Sequence, residues 1–289
     1  MSQSHRRGVY GVLGHGISHS LSPGIFRLVF AALRWPAVYA LCDLPPRRLG
    51  RFLRACTDAG VVGLNVTMPY KTQVMDHVDR VDRSATRVGA INTIAVRGHS
   101  LIGYNTDVDG VVAALTPHRA ALRGGSAIVF GAGGAALAVV SALVDSLAMG
   151  RVTLVARRPN RARALVDRIR FRAHAPVVDV IKWGRADVRP RLDTAALLVN
   201  ATPLGSGSGT RDSVLPNNTA IAPSTVVFDL VYRPRLTHLL RQAQRAGCRH
   251  VIGGWTMLIA QADASFAIWT GRRFPASVRR RLLNSAELV

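Results

Sequence analysis

The sequence predicts an α/β protein built from two successive α/β units, and three observations carry that reading. Short β-branched apolar runs alternate with segments of helical periodicity along most of the 289 residues. A glycine cluster at Gly131, Gly133 and Gly134 stands between an apolar run and an apolar helical pattern. Thr116-Pro117 and the basic stretch after it break the pattern between the two units.

Val9–Gly14 reads as a strand ending in a glycine-rich loop. Pro23–Leu33 follows with apolar residues at Ile25, Leu28, Val29 and Ala32, one face of a helix. Val38–Cys42 is a second strand, Leu49–Gly60 an amphipathic helix closed by glycine, and Val61–Val66 a third strand. Ala90–Val96 and Ser100–Gly103 flank Arg97-Gly98-His99 as a hairpin, and Val108–Leu115 is helical. In the second unit, Ser126–Phe130, Arg151–Ala156, Leu197–Asn200 and Val226–Leu230 read as buried parallel strands. Ser206–Thr210 is a mobile loop by composition. From Trp255 a helix carries Met257, Leu258, Gln261 and Phe266, followed by a short helix with a basic end.

Composition bounds the function classes. Gly124–Val144 carries no charge and is long enough to suggest a membrane helix, yet glycines stand at its centre. A buried strand turning through glycines into a buried helix explains it better, so no membrane segment is expected. The formal net charge is +22, but the arginines are scattered, aromatic residues make up 6%, and no zinc or stacking pattern appears. Adhesion to polyanions at low salt is expected; specific nucleic-acid recognition is not. Cys42, Cys56 and Cys248 lack CxxC spacing and suit buried thiols in a reducing compartment. Met1–Arg7 is basic without an apolar run behind it, so a cytoplasmic location is expected.

Five segments carry chemistry. Of the 38 Lys and Arg residues only Lys71 and Lys182 are lysine. A chain that otherwise uses arginine and keeps lysine in Asn65–Lys71 needs a compact ammonium that can give up a proton, which a guanidinium does not do. Asn105-Thr106-Asp107 offers a carboxylate partner, and Lys71 with Asp107 is the expected catalytic pair. Gly131-Ala132-Gly133-Gly134-Ala135-Ala136 places GxGxxA between strand and helix, a dinucleotide signature. One glycine makes the tight turn, the next lets a pyrophosphate approach, and the helix N-terminus attracts the anion. The next strand ends in Ala156-Arg157-Arg158 with Arg161 beyond. There is no acid for a ribose hydroxyl and several guanidiniums for a 2′-phosphate, so NADP(H) is the expected cofactor. Ser20 and Ser22 precede a helix and are suited to a carboxylate, although by residue type Ser22 before Pro23 reads first as a helix cap. His15 and His19 are spaced like a metal pair, but the glycine between them argues against a helix, and no metal is expected.

Taken in order, HSLSP at 19–23, NVTMPYK at 65–71, GAINT at 89–93, GYNTD at 103–107, GAGGAA at 131–136, NATPLG at 200–205, DLVY at 229–232 and GWTMLIAQ at 254–261 resemble the shikimate dehydrogenase family from about Val9 to Gly271. The resemblance implies an N-terminal substrate domain over 1–109, completed by C-terminal helices over 256–289, and a Rossmann-type NADP domain over 110–255. It implies NADPH-dependent, reversible reduction of 3-dehydroshikimate to shikimate in aromatic amino-acid biosynthesis, by a monomer or homodimer. Ser20 and Ser22 would hold the substrate carboxylate. Asn65, Thr67, Asn92, Asp107 and Gln261 would bind the ring hydroxyls, with Tyr232 nearby and Lys71 beside the carbonyl. Gly131, Ala132, Gly133, Gly134, Ala135, Ala156, Arg157, Arg158, Arg161 and Thr202 would hold the adenosine and pyrophosphate side of the cofactor. Leu230, Gly254 and Met257 would lie by the nicotinamide side. The chain departs from the family's usual pattern at Gly16, where proline is usual, and at Phe26-Arg27, where His-Asn is usual. Its cofactor loop has Ala156-Arg157-Arg158 for Asn-Arg-Thr. Two alternatives stand beside this reading: a quinate/shikimate dehydrogenase or other paralogue acting on a related cyclohexane carboxylate, and a non-catalytic nucleotide- or polyanion-binding protein.

Overall fold

The computed structural model describes residues 8–169, 177–207 and 212–285. Met1–Arg7 and Ser208–Thr210 of the loop expected from composition lie outside the described residues. The chain divides into two compact units. The first takes residues up to Thr86, Ala90–Thr106 and everything from Gln261; the second takes Arg87–Gly89 and Asp107–Ala260.

The first unit holds strands β1 (Gly8–Gly14), β2 (Ala37–Asp43), β3 (Val61–Val66), β4 (Arg80–Val81), β5 (Thr93–Arg97) and β6 (Ser100–Tyr104) in the order β2-β1-β3-β5-β6-β4. The first three are parallel, β5 and β6 form the expected hairpin, and β5 runs antiparallel to β3. Helices α1 (Ser22–Ala32), α2 (Leu49–Asp58) and α3 (Arg83–Val88) connect them. Gly60 follows α2 with φ +71, the left-handed exit that glycine takes without strain. One core collects Leu13, Leu53, Leu64, Tyr70, Ile91 and Ile94 on the α2 side of the sheet. Aromatic packing joins Phe26, Phe30, Tyr10 and Trp269. Phe26 is wholly buried, so the apolar residue at this position completes a core.

The second unit is a six-stranded parallel sheet. Its strands are β7 (Ser126–Phe130), β8 (Arg151–Ala156), β9 (Val177–Lys182), β10 (Ala195–Asn200), β11 (Val226–Asp229) and β12 (His250–Gly253), in the order β12-β11-β10-β7-β8-β9. Every neighbouring pair is parallel. The order reverses between β7 and β10, which is the doubly wound Rossmann topology. Helices α4 (Asp107–Leu115), α5 (Arg119–Leu122), α6 (Gly134–Asp145), α7 (Pro159–Val166), α8 (Arg185–Leu192) and α9 (His238–Arg245) flank it. Buried from Ala136 through Val144 and packed against α4, α6 accounts for the charge-free run: each fully buried leucine or valine contributes about 1.5–3 kcal/mol. No helix among the described residues is long and apolar enough to cross a membrane. Helix α10 (Trp255–Thr270) passes from the second unit into the first, and α11 (Ala276–Asn284) follows it.

Several details differ from the sequence reading. Strands β4, β9 and β12 are additional, all at sheet edges. The second unit begins at Asp107, so the helix before Thr116-Pro117 belongs to it and the break does not fall at that dipeptide. Strand β11 stops at Asp229, so Leu230 begins the loop. Ser22 is not a cap: Leu21 holds the N-cap position without a side-chain bond, and Ser22 is the first helical residue with Pro23 beside it.

Candidate active site

In the second unit, the carboxyl ends of five parallel strands present the residues expected for a dinucleotide. Phe130, Val155, Asn200, Asp229 and Gly253 lie in register across β7, β8, β10, β11 and β12, so the loops after them share one edge of the sheet. Gly131 leaves β7 with φ +120, and a Cβ there would lie 2.8 Å from the Ala201 carbonyl oxygen. Only glycine makes that turn. At Gly133, the N-cap of α6, a Cβ would meet no protein atom within 4 Å, and no side chain caps the helix. Gly134 opens α6, Ala135 follows, and Ala132 lies half-buried in the loop. Open space above uncapped amides fits a pyrophosphate. Arg157 and Arg158, straight after β8, and Arg161 in α7 are all exposed, with no acid in the loop. Ala156 is the last, buried residue of β8. These residues fit a 2′-phosphorylated dinucleotide.

The loops after β10 and β11 are tied to a buried polar cluster. Asn200 donates to the Asp229 carboxylate at 2.9 Å and to the Leu204 carbonyl at 3.0 Å. The Thr202 amide and hydroxyl both donate to Asn200 Oδ1, at 3.0 and 2.7 Å. The Leu230 amide donates to the Asn200 carbonyl at 2.9 Å. Asp229 also accepts from the Val231 amide and from the Thr237 hydroxyl, at 3.0 and 2.6 Å. Burial pushes its carboxyl up from 3.8 to about 6, against the pull of those three donors. Tyr232, in the loop beyond, is also held above its ordinary range by burial. A Cβ on Gly254 would overlap the Leu230 carbonyl, so the two backbones touch. Met257 is buried in the first turn of α10.

In the first unit the candidate substrate residues fall into two groups. The Ser20 amide donates to the Ile17 carbonyl at 2.9 Å, and its hydroxyl oxygen accepts from the Ser22 amide at 3.4 Å. The approach to these serines is held by Asp43, which accepts from the Gly16 and Ile17 amides, both at 2.9 Å, and from His15 at 3.3 Å. The Ile17 and Gly16 amides are the main reason the Asp43 carboxyl sits below its ordinary range. Gly16 has φ +69, which a proline could not adopt, and it supplies an N–H that proline lacks.

The second group is a buried hydrogen-bonded network. Asn65 donates to Ser265 and Thr93 at 2.8 and 3.2 Å. Asn92 donates to the Thr106 hydroxyl at 2.9 Å and to Gln261 at 3.5 Å, and its oxygen accepts from the Thr106 amide at 2.7 Å. Ser265 also meets Thr93 and Thr106 at 2.8 and 3.1 Å. Thr67 opens the loop after β3, its amide donating to the Leu13 carbonyl at 2.8 Å. The loop continues through a cis Met68–Pro69 bond to half-buried Lys71, whose carbonyl accepts from the Ile91 amide at 2.7 Å. Buried Asp107 follows Thr106 directly; as the first residue of α4 it opens the second unit. Tyr39 joins the network by donating to Asn65 Oδ1 at 2.7 Å. Sequence reasoning gave no role to Tyr39 or Ser265, which stand alone, nor to Thr93 and Thr106, which lay inside recognised motifs.

Comparisons with known proteins give the family. The model of the shikimate dehydrogenase substrate binding domain matches residues 12–94. A shikimate dehydrogenase (NADP+) of Symbiobacterium thermophilum is 39% identical over 273 residues, covering 94% of this chain and 92% of the relative. The chain belongs to the shikimate dehydrogenase family. Among solved members of similar fold, the Thermus thermophilus shikimate 5-dehydrogenase, in complex with NADP(H) and shikimate, is 32% identical with a TM-score of 0.79, covering 96% of this chain and 98% of that one. The quinate dehydrogenase of Corynebacterium glutamicum, in complex with NAD, is 29% identical with a TM-score of 0.84, at 96% and 98% coverage. For a shikimate dehydrogenase fold, the two α/β units have the expected architecture, an N-terminal substrate domain and a Rossmann-type domain.

Proposed function

We propose that the protein catalyses the NADP-dependent, reversible interconversion of 3-dehydroshikimate and shikimate. The observation that carries this reading is near full-length identity of 39% to an NADP-dependent shikimate dehydrogenase, joined to an exposed Arg157-Arg158 pair at a strand end without an acid. When bound, NADP(H) supplies or takes up the hydride. Arg157 and Arg158 hold its 2′-phosphate, with Arg161 in support, and the amides from Gly133 to Ala135 face its pyrophosphate, flanked by Gly131, Ala132 and Thr202. Ala156, Leu230, Gly254 and Met257 line the remainder of its bed.

The protein's own side chains do the rest. Ser20 and Ser22 bind the substrate carboxylate. Thr67, Asn92 and Gln261 bind ring hydroxyls, with Asn65 among them and Tyr232 at the edge. Lys71, as an ammonium, stabilises charge developing on the carbonyl oxygen and gives it a proton. Asp107 orients Lys71 and accepts from a substrate hydroxyl. Support comes from local connectivity: the Lys71 carbonyl binds Ile91, the next residue Asn92 binds Thr106, and Asp107 follows.

The quinate dehydrogenase of similar fold keeps a second reading open, in which the substrate carries an additional ring hydroxyl. Shikimate and quinate, each with NADP and NAD, followed by absorbance of the reduced nicotinamide, separate the two. Highest catalytic efficiency with shikimate and NADP is expected; a preference for quinate or NAD would overturn the first reading. The expected partners are small molecules, with a monomer or homodimer as the assembly and the cytoplasm as the location.

A further inference from the structure

The loop that leads to Ser20 and Ser22 has glycine at position 16, where the family usually has proline, and a carboxylate from the neighbouring strand closes on it there. Asp43 ends β2 in register with Gly14, the last residue of β1. Its Oδ1 accepts from the Gly16 amide and its Oδ2 from the Ile17 amide, both at 2.9 Å. His15 meets Oδ1 at 3.3 Å. Bonds from two successive amides to one carboxylate are charge-assisted and therefore strong. From there the path to the serines is short. The Ile17 carbonyl accepts from the Ser20 amide at 2.9 Å. Ser20 Oγ accepts from the Ser22 amide at 3.4 Å, which leaves the Ser20 hydroxyl its proton to give. The start of the loop is held separately, by the His15 amide donating to the Met68 carbonyl at 3.0 Å. Around Gly16 there is open space: a Cβ there would meet no atom within 4 Å.

We infer that Asp43 is a positioning residue that holds the loop from Gly16 to Ser20 in the form that receives the substrate carboxylate, a task that a proline at position 16 would perform by its own stiffness. This rests on the proposed shikimate reading. Proline restricts the chain before any ligand arrives, whereas glycine leaves it many conformations. A loop that the substrate itself must order binds more weakly, because the ordering is subtracted from the binding free energy. Asp43 does that ordering in advance, so its effect falls on substrate binding and not on the chemical step. Its charge alone would act the other way, since a carboxylate near an anion site repels the anion. The two effects have opposite signs, and the sign of the change decides between them.

The test is Asp43→Asn, alone and combined with Ser20→Ala in a double-mutant cycle. Asparagine keeps the shape and one acceptor oxygen, removes the charge and turns an N–H2 group toward one of the two loop amides. The Asp43 side chain is 33% exposed, so the change opens no core. Asp43→Asn is expected to raise KM for shikimate about five- to tenfold, the cost of leaving a loop for the substrate to order. It should leave kcat within about twofold and KM for NADP unchanged. In the Ser20→Ala background the same change should cost less than about twofold, because the hydroxyl being positioned is already gone. A KM that is unchanged or falls, a loss confined to kcat, or full additivity would each overturn the assignment. A parent protein that fails to turn over shikimate with NADP refutes the functional reading itself, whereas an active parent with an indifferent Asp43→Asn variant refutes only the role of Asp43.

Discussion

At the residue scale the sharpest tests fall on Lys71 and Asp229. Replacing Lys71 with alanine is expected to lower kcat a hundredfold or more with KM for shikimate within a few-fold, because a positioned proton donor contributes about that much. Near-parental kcat would remove Lys71 from the chemistry. Asp229 makes a different, pH-dependent prediction. Its carboxyl, moved by burial from 3.8 to about 6, keeps a proton in the folded state that the unfolded chain has already released. Stability therefore falls as pH rises from about 4 to 6 and then levels, at a total cost of about 3 kcal/mol. Asp229→Asn lacks that loss, so in urea unfolding the difference between parent and variant should change by about this amount between pH 4 and 7. Parallel curves would show that the carboxyl titrates normally. Lys71 stands out in the sequence because lysine is so rare there. Asp229 was legible only as part of a motif, since its meaning depends on Asn200 and Thr237 closing round it.

At the scale of elements, the turn from β7 into α6 carries the clearest test. Gly133 has φ −97 and ψ −179, a conformation open to any residue, and its missing Cβ faces open space. Gly133→Val should therefore melt within a few degrees of the parent while losing at least tenfold in affinity for NADP, read by fluorescence titration. A variant that unfolds, or that binds NADP normally, contradicts a cradle at this turn. The strands that sequence reasoning found are those with continuous apolar runs, such as Ser126–Phe130. Strand β9 escaped because it is an edge strand with half-exposed residues and a mid-strand Asp179, which suits an outer position and blurs the apolar signal. At four residues, β12 is short, and Gly253 and Gly254 at its end read as turn. Helix α1 misled in a smaller way: a serine before proline is a common cap, but here the cap position went to Leu21 and Ser22 became the first helical residue.

For the whole molecule, a net charge of +22 predicts that binding to DNA or heparin is an ion-exchange effect. Retention on a polyanion column at 20 mM salt should vanish by about 150–200 mM, with no preference among DNA sequences. Retention that persists, or that selects sequences, would indicate a nucleic-acid role. The two-unit organisation was readable from alternating periodicity and one glycine motif. What could not be read was the return of the chain: no local pattern says that Ser265 completes a cluster begun by Asn65, two hundred residues earlier.

That return sets an order of assembly on the ribosome. The amino-terminal sheet is made first, yet Asn65 and Thr93 acquire Ser265, and the Ile94 carbonyl acquires the Trp269 indole, only after nearly the whole polypeptide has emerged. The nucleotide-type sheet between them is drawn almost entirely from one uninterrupted stretch, 107–260. The half synthesised second can therefore mature first, while the half synthesised first waits for translation to finish.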